Sequence, residues 1–302
     1  KHFRSEEHTS DWSSEVCSSD LKCLLVRQAG LLSDLQILIF QRTSPENSYG
    51  LISMKRGRHR LSNSHIIAPQ WVGGGIVSGF SLASETIDSQ SVSFSDMGIN
   101  TGTDKELTSR NRAAMLESLG LKPDSLAWLK QVHGNEVMYV DRPGFSGEAD
   151  GLVTNIPGIS LGIMVADCAA ILIADPYQKV IGAFHAGWRG AATGIVENGI
   201  SRMNELGAKD LFAWMSPCIG VHAFEVGEEV AARFPQKYIR TEGYEKPHID
   251  LKQYLVEKLE LSGIQRDRIS MDKRCTFEDP TFFSYRRQGI ESGRMMAVIA
   301  LQ

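Results

Sequence analysis

The feature that most restricts how this chain can fold is a pair of short apolar runs, residues 169–174 and 180–185, joined by the five residues DPYQK. Runs of this length bounded by turn chemistry read as strands. Asp-Pro starts a turn because proline presets its own φ while the aspartate side chain bonds the backbone beyond it. The two strands are expected to pair antiparallel. With the turn centred on Tyr177, Ala169 faces His185 and Cys168 faces Ala186, which puts a thiol beside an imidazole about 5 Å away across the ladder. A slip of one residue would change which faces they share. Past His185 the segment AGWRGAATG reads as a glycine-rich loop. It leads into a helix that carries Val196, Ile200 and Met203 on one face and closes at Gly207.

Other segments add helices and strands in alternation. Thr103 with Glu106 three residues on forms a capping box, and Leu107, Ala114 and Leu119 continue to Gly120, predicting a helix over residues 103–120. Residues 126–132 and 137–141 flank Gly134-Asn135, the composition of a tight hairpin turn, with His133 at its tip. The stretch FFSYRR reads as strand-like, so that Arg286 and Arg287 point to opposite faces. Neither a long linker nor a repeat interrupts residues 71–302. The expected class is therefore α+β, one domain of mixed sheets covered by helices.

The region ahead of that domain reads differently. RSEEHTS followed by DWSSEVCSSDL resembles translated sequencing-adapter DNA, so residues 1–20 are set aside as non-native. Residues 21–70 are unassigned, with one apolar run at 35–40, a basic Ser-rich piece, KRGRHRLSNSH, and Met54 as a candidate start. A signal peptide fits poorly, because that apolar run lies far in and no small-residue cleavage site follows it.

Composition narrows the partners. With 32 Lys and Arg against 36 Asp and Glu the net charge is -4, which gives no basic field for nucleic acid or an anionic membrane. The strongest candidate for a membrane span, residues 159–174, is broken by Gly162 and Asp167 and falls short of about 20 apolar residues. Five scattered cysteines form no disulfide framework, and a reducing cytoplasm is expected. The expected partner is a small molecule.

Three segments, QVHG, ADC and FHAGWRG, supply His133, Cys168 and His185. Two imidazoles and a thiolate suit zinc with a fourth position left for water, and copper competes for the same donors. Each of these residues alone is also ordinary packing material, and the same Cys-His adjacency permits a metal-free nucleophile and base. Arg189, ahead of a helix, and Arg286, from the group Arg286, Arg287 and Arg294, are candidate phosphate ligands. Cys218 and Cys275 read as packing residues, and Glu225 as a solvated strand-end carboxylate.

The runs ADGLVTNIPGISLGIMVADCAAILIADP, VIGAFHAGWRG, SPCIGVHAFEVG and RCTFEDPTFFSYRRQGIESGR resemble, in order and spacing, the bacterial YfiH family, formerly described as laccases. The match covers about residues 80–301. The resemblance implies a single-domain α+β fold with zinc held by His133, Cys168 and His185. It also implies phosphorolysis of adenosine, inosine, guanosine and methylthioadenosine, with deamination of adenosine. The chain departs from the family pattern at Ala83, where an Arg is usual, and at Ala170, where a Pro is usual; Asn100, Gly102 and Asp104 match the next motif. The zinc deaminase signature H-x-E with P-C-x-x-C is absent. Three rivals stand beside this reading. A multicopper oxidase needs many imidazoles, whereas four histidines follow Pro69 with no H-x-H pair. An amidase acting on peptidoglycan precursors would use the Cys-His pair. A non-catalytic zinc protein would fill the fourth coordination position.

Overall fold

A computed structural model of the chain describes residues 66–69, 71, 74–83, 96–99 and 104–302, together with the backbone of three earlier strands. The chain divides into two units, Lys1–Arg60 and Leu61–Gln302. The first holds an antiparallel sheet of β1 (Ser13–Cys17), β2 (Leu21–Val26) and β3 (Gln36–Phe40). Strand β1 falls inside the stretch set aside from the sequence, and the rest of that stretch lies outside the described residues, as does Met54. The second unit includes β4 (Ile66–Ile67), which pairs with β5 (Ile76–Ser81).

Two six-stranded sheets build the second unit. Helix α1 (Lys105–Ser118) is followed by β6 (Leu126–Lys130), β7 (Val137–Tyr139), β8 (Gly144–Glu148), β9 (Gly151–Thr154) and β10 (Ser160–Val165). Next come β11 (Ala169–Asp175), β12 (Val180–Ala186), α2 (Trp188–Thr193), α3 (Ile195–Glu205), β13 (Phe212–Met215) and α4 (Glu228–Ala231). The chain ends with β14 (Ile239–Arg240), β15 (His248–Ile249), α5 (Leu251–Leu261), β16 (Ile269–Met271), α6 (Tyr285–Gln288) and β17 (Met295–Leu301). The first sheet runs β4-β5-β17-β10-β6-β8, the second β16-β13-β11-β12-β9-β7, and β14 pairs with β15.

Period-two alternation explains the layers. In β11, Leu172 and Ala174 pack with Leu161, Ile163 and Val165 of β10 and Ala297 and Ile299 of β17, filling the space between the sheets. The alternate residues Ile171 and Ile173 face the other way, onto Val196, Ile200 and Met203 of α3 and Leu255 and Leu259 of α5. On the outer face of the first sheet, Leu126, Met296 and Val298 pack with Met115 and Leu116 of α1. The result is a helix-sheet-sheet-helix arrangement, the mixed α+β class expected. Each fully buried Leu, Ile or Met side chain contributes about 1.5–3 kcal/mol, so the central strands, apolar on both faces, are the stable part of the molecule. No helix among the described residues is long and apolar enough to cross a membrane.

Four local expectations need correction. Helix α1 is capped by Asp104, whose carboxylate accepts from the N–H groups of Glu106 and Leu107, and not by Thr103, which lies outside the described residues. Residues 126–141 form no hairpin, because β6 and β7 belong to different sheets. The N–H groups of Val132, His133 and Gly134 go to the carboxylate of Asp150 instead of to a facing strand, and the chain crosses between the sheets there. The β11–β12 hairpin is antiparallel as expected but slipped by one residue, with Ala169 facing Ala186 and Ala170 facing His185. Asp175 joins the ladder opposite Val180 and accepts from Tyr177 and Gln178, which shortens the loop by one residue. Finally, AGWRGAATG and FFSYRR hold helical turns. Arg189 lies on α2, which meets α3 at the left-handed Gly194, and Arg286 and Arg287 lie on α6, whose Ser284 cap accepts from the Arg287 N–H.

Candidate metal centre

Three elements deliver the sequence-predicted ligands to one place. His133 comes from the sheet crossover, Cys168 from the residue before β11 and His185 from β12, and their donor atoms all lie within 4.8 Å of one another. The His133 and His185 rings meet edge to face at a centroid distance of 4.7 Å. His133 is exposed, Cys168 half-buried and His185 buried, so the cluster opens to one side. Gly187 closes the other side, since a Cβ there would come 2.9 Å from Cys168 Sγ and 3.3 Å from His133 Cδ2.

A fully buried carboxylate organises both histidines. Asp150 Oδ1 accepts from the His133 N–H at 2.9 Å and lies 2.7 Å from His185 Nδ1, while Oδ2 accepts from Gly134 at 2.6 Å and Val132 at 3.2 Å. With Nδ1 of His185 engaged by Asp150, Nε2 is left as its donor to a metal. The sequence does not single out Asp150, because its partners at the site lie 16 to 35 residues away along the chain.

The same packing sets the charges. Burial pushes the Cys168 thiol up, but the His185 charge and hydrogen bonds from both histidines outweigh it and bring the pKa to about 6. Burial pulls His185 down, while Cys168 and Asp150 push it up to about 9. Both shifts run in the direction that favours a thiolate at Cys168 beside a protonated His185 when no metal is bound. Two imidazoles and a thiolate are a borderline-soft donor set that fits zinc or copper and suits magnesium or calcium poorly.

The cluster opens into a cavity of about 760 Å³ that is lined, beyond the cluster itself, by the cations Arg112, Lys130, Arg286 and Arg294 and a single carboxylate, Asp167. That carboxylate accepts from Thr276 Oγ1 at 2.6 Å, Ser284 Oγ at 3.0 Å and the Arg286 N–H at 2.6 Å, so it fixes the 276–286 segment beside Cys168. The Arg286 guanidinium donates to the carbonyls of Glu225 at 2.8 Å and Ala223 at 3.3 Å. Arg287 instead bonds the carbonyls of Thr276, Phe277 and Phe282 and ties the segment together. Arg189 is exposed, 5.2 Å from the Trp188 ring, and is not among the residues lining the cavity.

The remaining candidates have ordinary surroundings. Cys218 and Cys275 are buried free thiols, and burial pushes Cys218 up to about 12. Glu225 pairs with Lys246 at 2.8 Å. Ala170, where the resemblance leads one to expect a proline, donates its N–H to Ser216 Oγ at 2.9 Å, a bond that proline lacks the hydrogen to make. Ala83 donates its N–H to the Thr281 carbonyl at 2.9 Å, while Asn100 and Gly102 lie outside the described residues.

Comparison with known proteins gives concordant matches. A family model described as multi-copper polyphenol oxidoreductase laccase matches residues 78–302. A purine nucleoside phosphorylase of Deinococcus radiodurans is 40% identical over 205 residues, 66% of this chain and 79% of the relative. One from Corynebacterium glutamicum is 36% identical over 216 residues, covering 68% and 86%, and the Escherichia coli purine nucleoside phosphorylase YfiH is 31% identical over 244 residues, covering 79% and 99%. Among solved structures, YlmD from Geobacillus stearothermophilus superposes with a TM-score of 0.69 at 27% identity, covering 76% of this chain and 92% of that one. Bacillus licheniformis YfiH gives 0.68 at 25% identity, covering 75% and 93%.

Proposed function

The chain belongs to the multi-copper polyphenol oxidoreductase laccase family, the three sequence relatives compared above are named purine nucleoside phosphorylases, and from that premise we propose that it is a metal-dependent purine nucleoside phosphorylase. Its proposed substrates are adenosine, inosine, guanosine and methylthioadenosine with phosphate, and deamination of adenosine is a second proposed activity. The observation that carries the reading is the convergence of His133, Cys168 and His185 at the wall of a cavity whose charged lining is cationic apart from Asp167.

In phosphorolysis a phosphate oxygen bonds to the anomeric carbon of the ribose while the bond to the purine nitrogen breaks, and the electron pair leaves with the base. The site must hold an anion beside a sugar carbon that gains positive charge. Arg286, anchored through its backbone to Asp167 and through its guanidinium to two carbonyls, is the proposed phosphate ligand, with Arg294 beside it in the cavity. His133, Cys168 and His185 would hold zinc, with copper as its competitor, and the ion would supply Lewis-acid polarisation of an oxygen. Asp150 keeps both histidines oriented for that task. Oxidase chemistry with several coppers finds less support, since the other two described histidines are engaged elsewhere, His222 with Tyr244 and His248 with the Lys246 carbonyl.

The adjacency of Cys168 and His185, with the thiol pKa lowered and the imidazole pKa raised, supports a second reading, metal-free amide cleavage with Cys168 as nucleophile. One experiment separates the two: inosine is supplied with and without phosphate, and products are resolved by chromatography. Ribose-1-phosphate formed only with phosphate is the expected result. Free ribose at the same rate in both buffers would mean a hydrolase, and turnover of a peptide precursor with none of inosine would favour the amidase.

A further inference from the structure

On the outer face of the first sheet, the parallel register of β6 and β8 sets Trp128 directly beside Phe145. Their ring centroids are 4.8 Å apart and their planes are inclined by 43°. The Arg112 guanidinium lies 5.2 Å from the Trp128 ring, held by hydrogen bonds from Nε at 2.9 Å and Nη2 at 2.6 Å to the Met97 carbonyl. Trp128 is thus braced from α1.

Phe145 is different. It lies on the edge strand of its sheet, between the left-handed Gly144 and Gly147, and is 57% exposed. It belongs to none of the three core clusters, so the hydrophobic core does not account for it. Phe145, Trp128 and Arg112 all line the cavity that holds His133, Cys168 and His185. Arg112 and Trp128 also border a second cavity, from whose lining Phe145 is absent. Phe145 therefore reports on the first cavity alone.

We propose that the Trp128–Phe145 pair is the surface on which the purine base binds, and that Phe145 sets the preference for a two-ring base over a one-ring base. The proposal rests on the site acting on purine nucleosides and names the residues that recognise the base. A flat heteroaromatic ring gains most from polarisable faces already ordered before it arrives. A single six-membered ring stacks on one of the two side chains, whereas a fused bicycle stacked on one is long enough to meet the tilted ring of the other, 4.8 Å away between centroids. The cationic groups Arg286 and Arg294 are left for phosphate, so base and anion have separate holds in one cavity.

The test uses the full chain with Phe145→Ala, Phe145→Leu and Phe145→Tyr, reading calorimetric binding of hypoxanthine and steady-state phosphorolysis of inosine. Phe145→Ala should weaken hypoxanthine binding and raise the inosine KM on the order of ten- to a hundredfold. It should change kcat little, because the base is stacked in both the ground state and the transition state. The phosphate KM should stay at the parent value. Phe145→Tyr should stay within about threefold of the parent, and Phe145→Leu should lose most of what Phe145→Ala loses, which separates stacking from apolar bulk. Melting temperatures close to the parent would show that the exposed ring is not a folding element. Unchanged hypoxanthine affinity in Phe145→Ala, equal affinities in Phe145→Leu and Phe145→Tyr, or no hypoxanthine binding by the parent would each overturn the proposal. Phe145-dependent hypoxanthine binding by a parent that releases no base from inosine would uphold the binding surface and overturn the phosphorylase reading.

Discussion

Replacing Asp150 with Asn should damage the metal centre and the fold together, because this one side chain serves both. The substitution keeps shape but turns one oxygen into an NH2 group. Each carboxylate oxygen now faces two partners, Oδ1 the His133 N–H and His185 Nδ1, Oδ2 the N–H groups of Val132 and Gly134. Whichever oxygen is replaced, two of the four contacts lose their acceptor. At about 1.5–3 kcal/mol for each hydrogen bond to a charged group, the loss is roughly 3–6 kcal/mol. For a domain of this size that corresponds to a fall in melting temperature of roughly 6–24 °C, read by scanning calorimetry. Metal affinity should fall about 10- to 100-fold, as measured by competition with a chelating dye, because the ring of His185 and the backbone of His133 lose their anchor. Parent-like melting and metal affinity in Asp150→Asn would refute the assignment of Asp150 as the organiser of the site.

Further expectations follow from neighbouring geometry. Gly187→Ala should lower metal content by elemental analysis while leaving the fold intact, since its Cβ would meet Cys168 Sγ at 2.9 Å; full metal content would show that the thiol has room to move. Burial pushes the buried Asp175 carboxyl up, but the N–H groups of Lys209, Gln178, Asp210 and Tyr177 outweigh it and hold the pKa below the usual value. A depressed folded-state pKa contributes stability that is present above the unfolded value, near about 4, and is lost as pH falls through the folded one. The parent should therefore melt higher than Asp175→Asn at neutral pH, and the gap should close in acid; a gap independent of pH would assign the effect to shape. Arg286→Ala should raise the phosphate concentration for half-maximal base release from inosine about ten- to a hundredfold, while Arg189→Ala, exposed and outside the cavity, should leave it within about twofold. The opposite ranking would move the anion site to the start of α2.

The hairpin carrying Cys168 and His185 was legible because its pattern is local: two apolar runs and a turn. Its register was not, because Asp175 serves at once as the last rung of the ladder and as the turn's hydrogen-bond acceptor, and composition does not reveal which role it takes. His133 was legible as a candidate ligand, yet its setting was read as a hairpin tip. The acceptor that defines that setting, Asp150, lies 16 residues beyond Gly134, so no window around Gly134-Asn135 contains the cause. The same holds for α6, where the Arg286 N–H meets Asp167 across 119 residues of chain. The wall formed by Trp128 and Phe145 arises from a parallel pairing of β6 with β8, which apolar periodicity alone does not specify.

Among the described residues of the second unit, backbone strain is concentrated at the candidate site. Among the described residues three non-glycine positions are left-handed: Lys179, which closes the β11–β12 turn, and His133 and Asp167, both at the site. An L residue in that conformation costs about 1–2 kcal/mol, and hydrogen bonds to buried carboxylates are large enough to offset it. Asp150 takes the His133 N–H, while Asp167 takes two hydroxyls and the Arg286 N–H with its carboxylate and the Ile219 N–H with its carbonyl. The left-handed turn at Asp167 has a geometric consequence. Its carboxylate reaches the segment bearing Arg286, while the next residue, Cys168, presents its thiol to the two histidines. Two adjacent residues thereby join the arginine-bearing side of the cavity to the side formed by His133, Cys168 and His185. Glycine at either strained position would relieve the backbone, but at 133 it would delete a proposed ligand and at 167 it would release the segment that carries Arg286, so relief of strain and preservation of the candidate site are mutually exclusive.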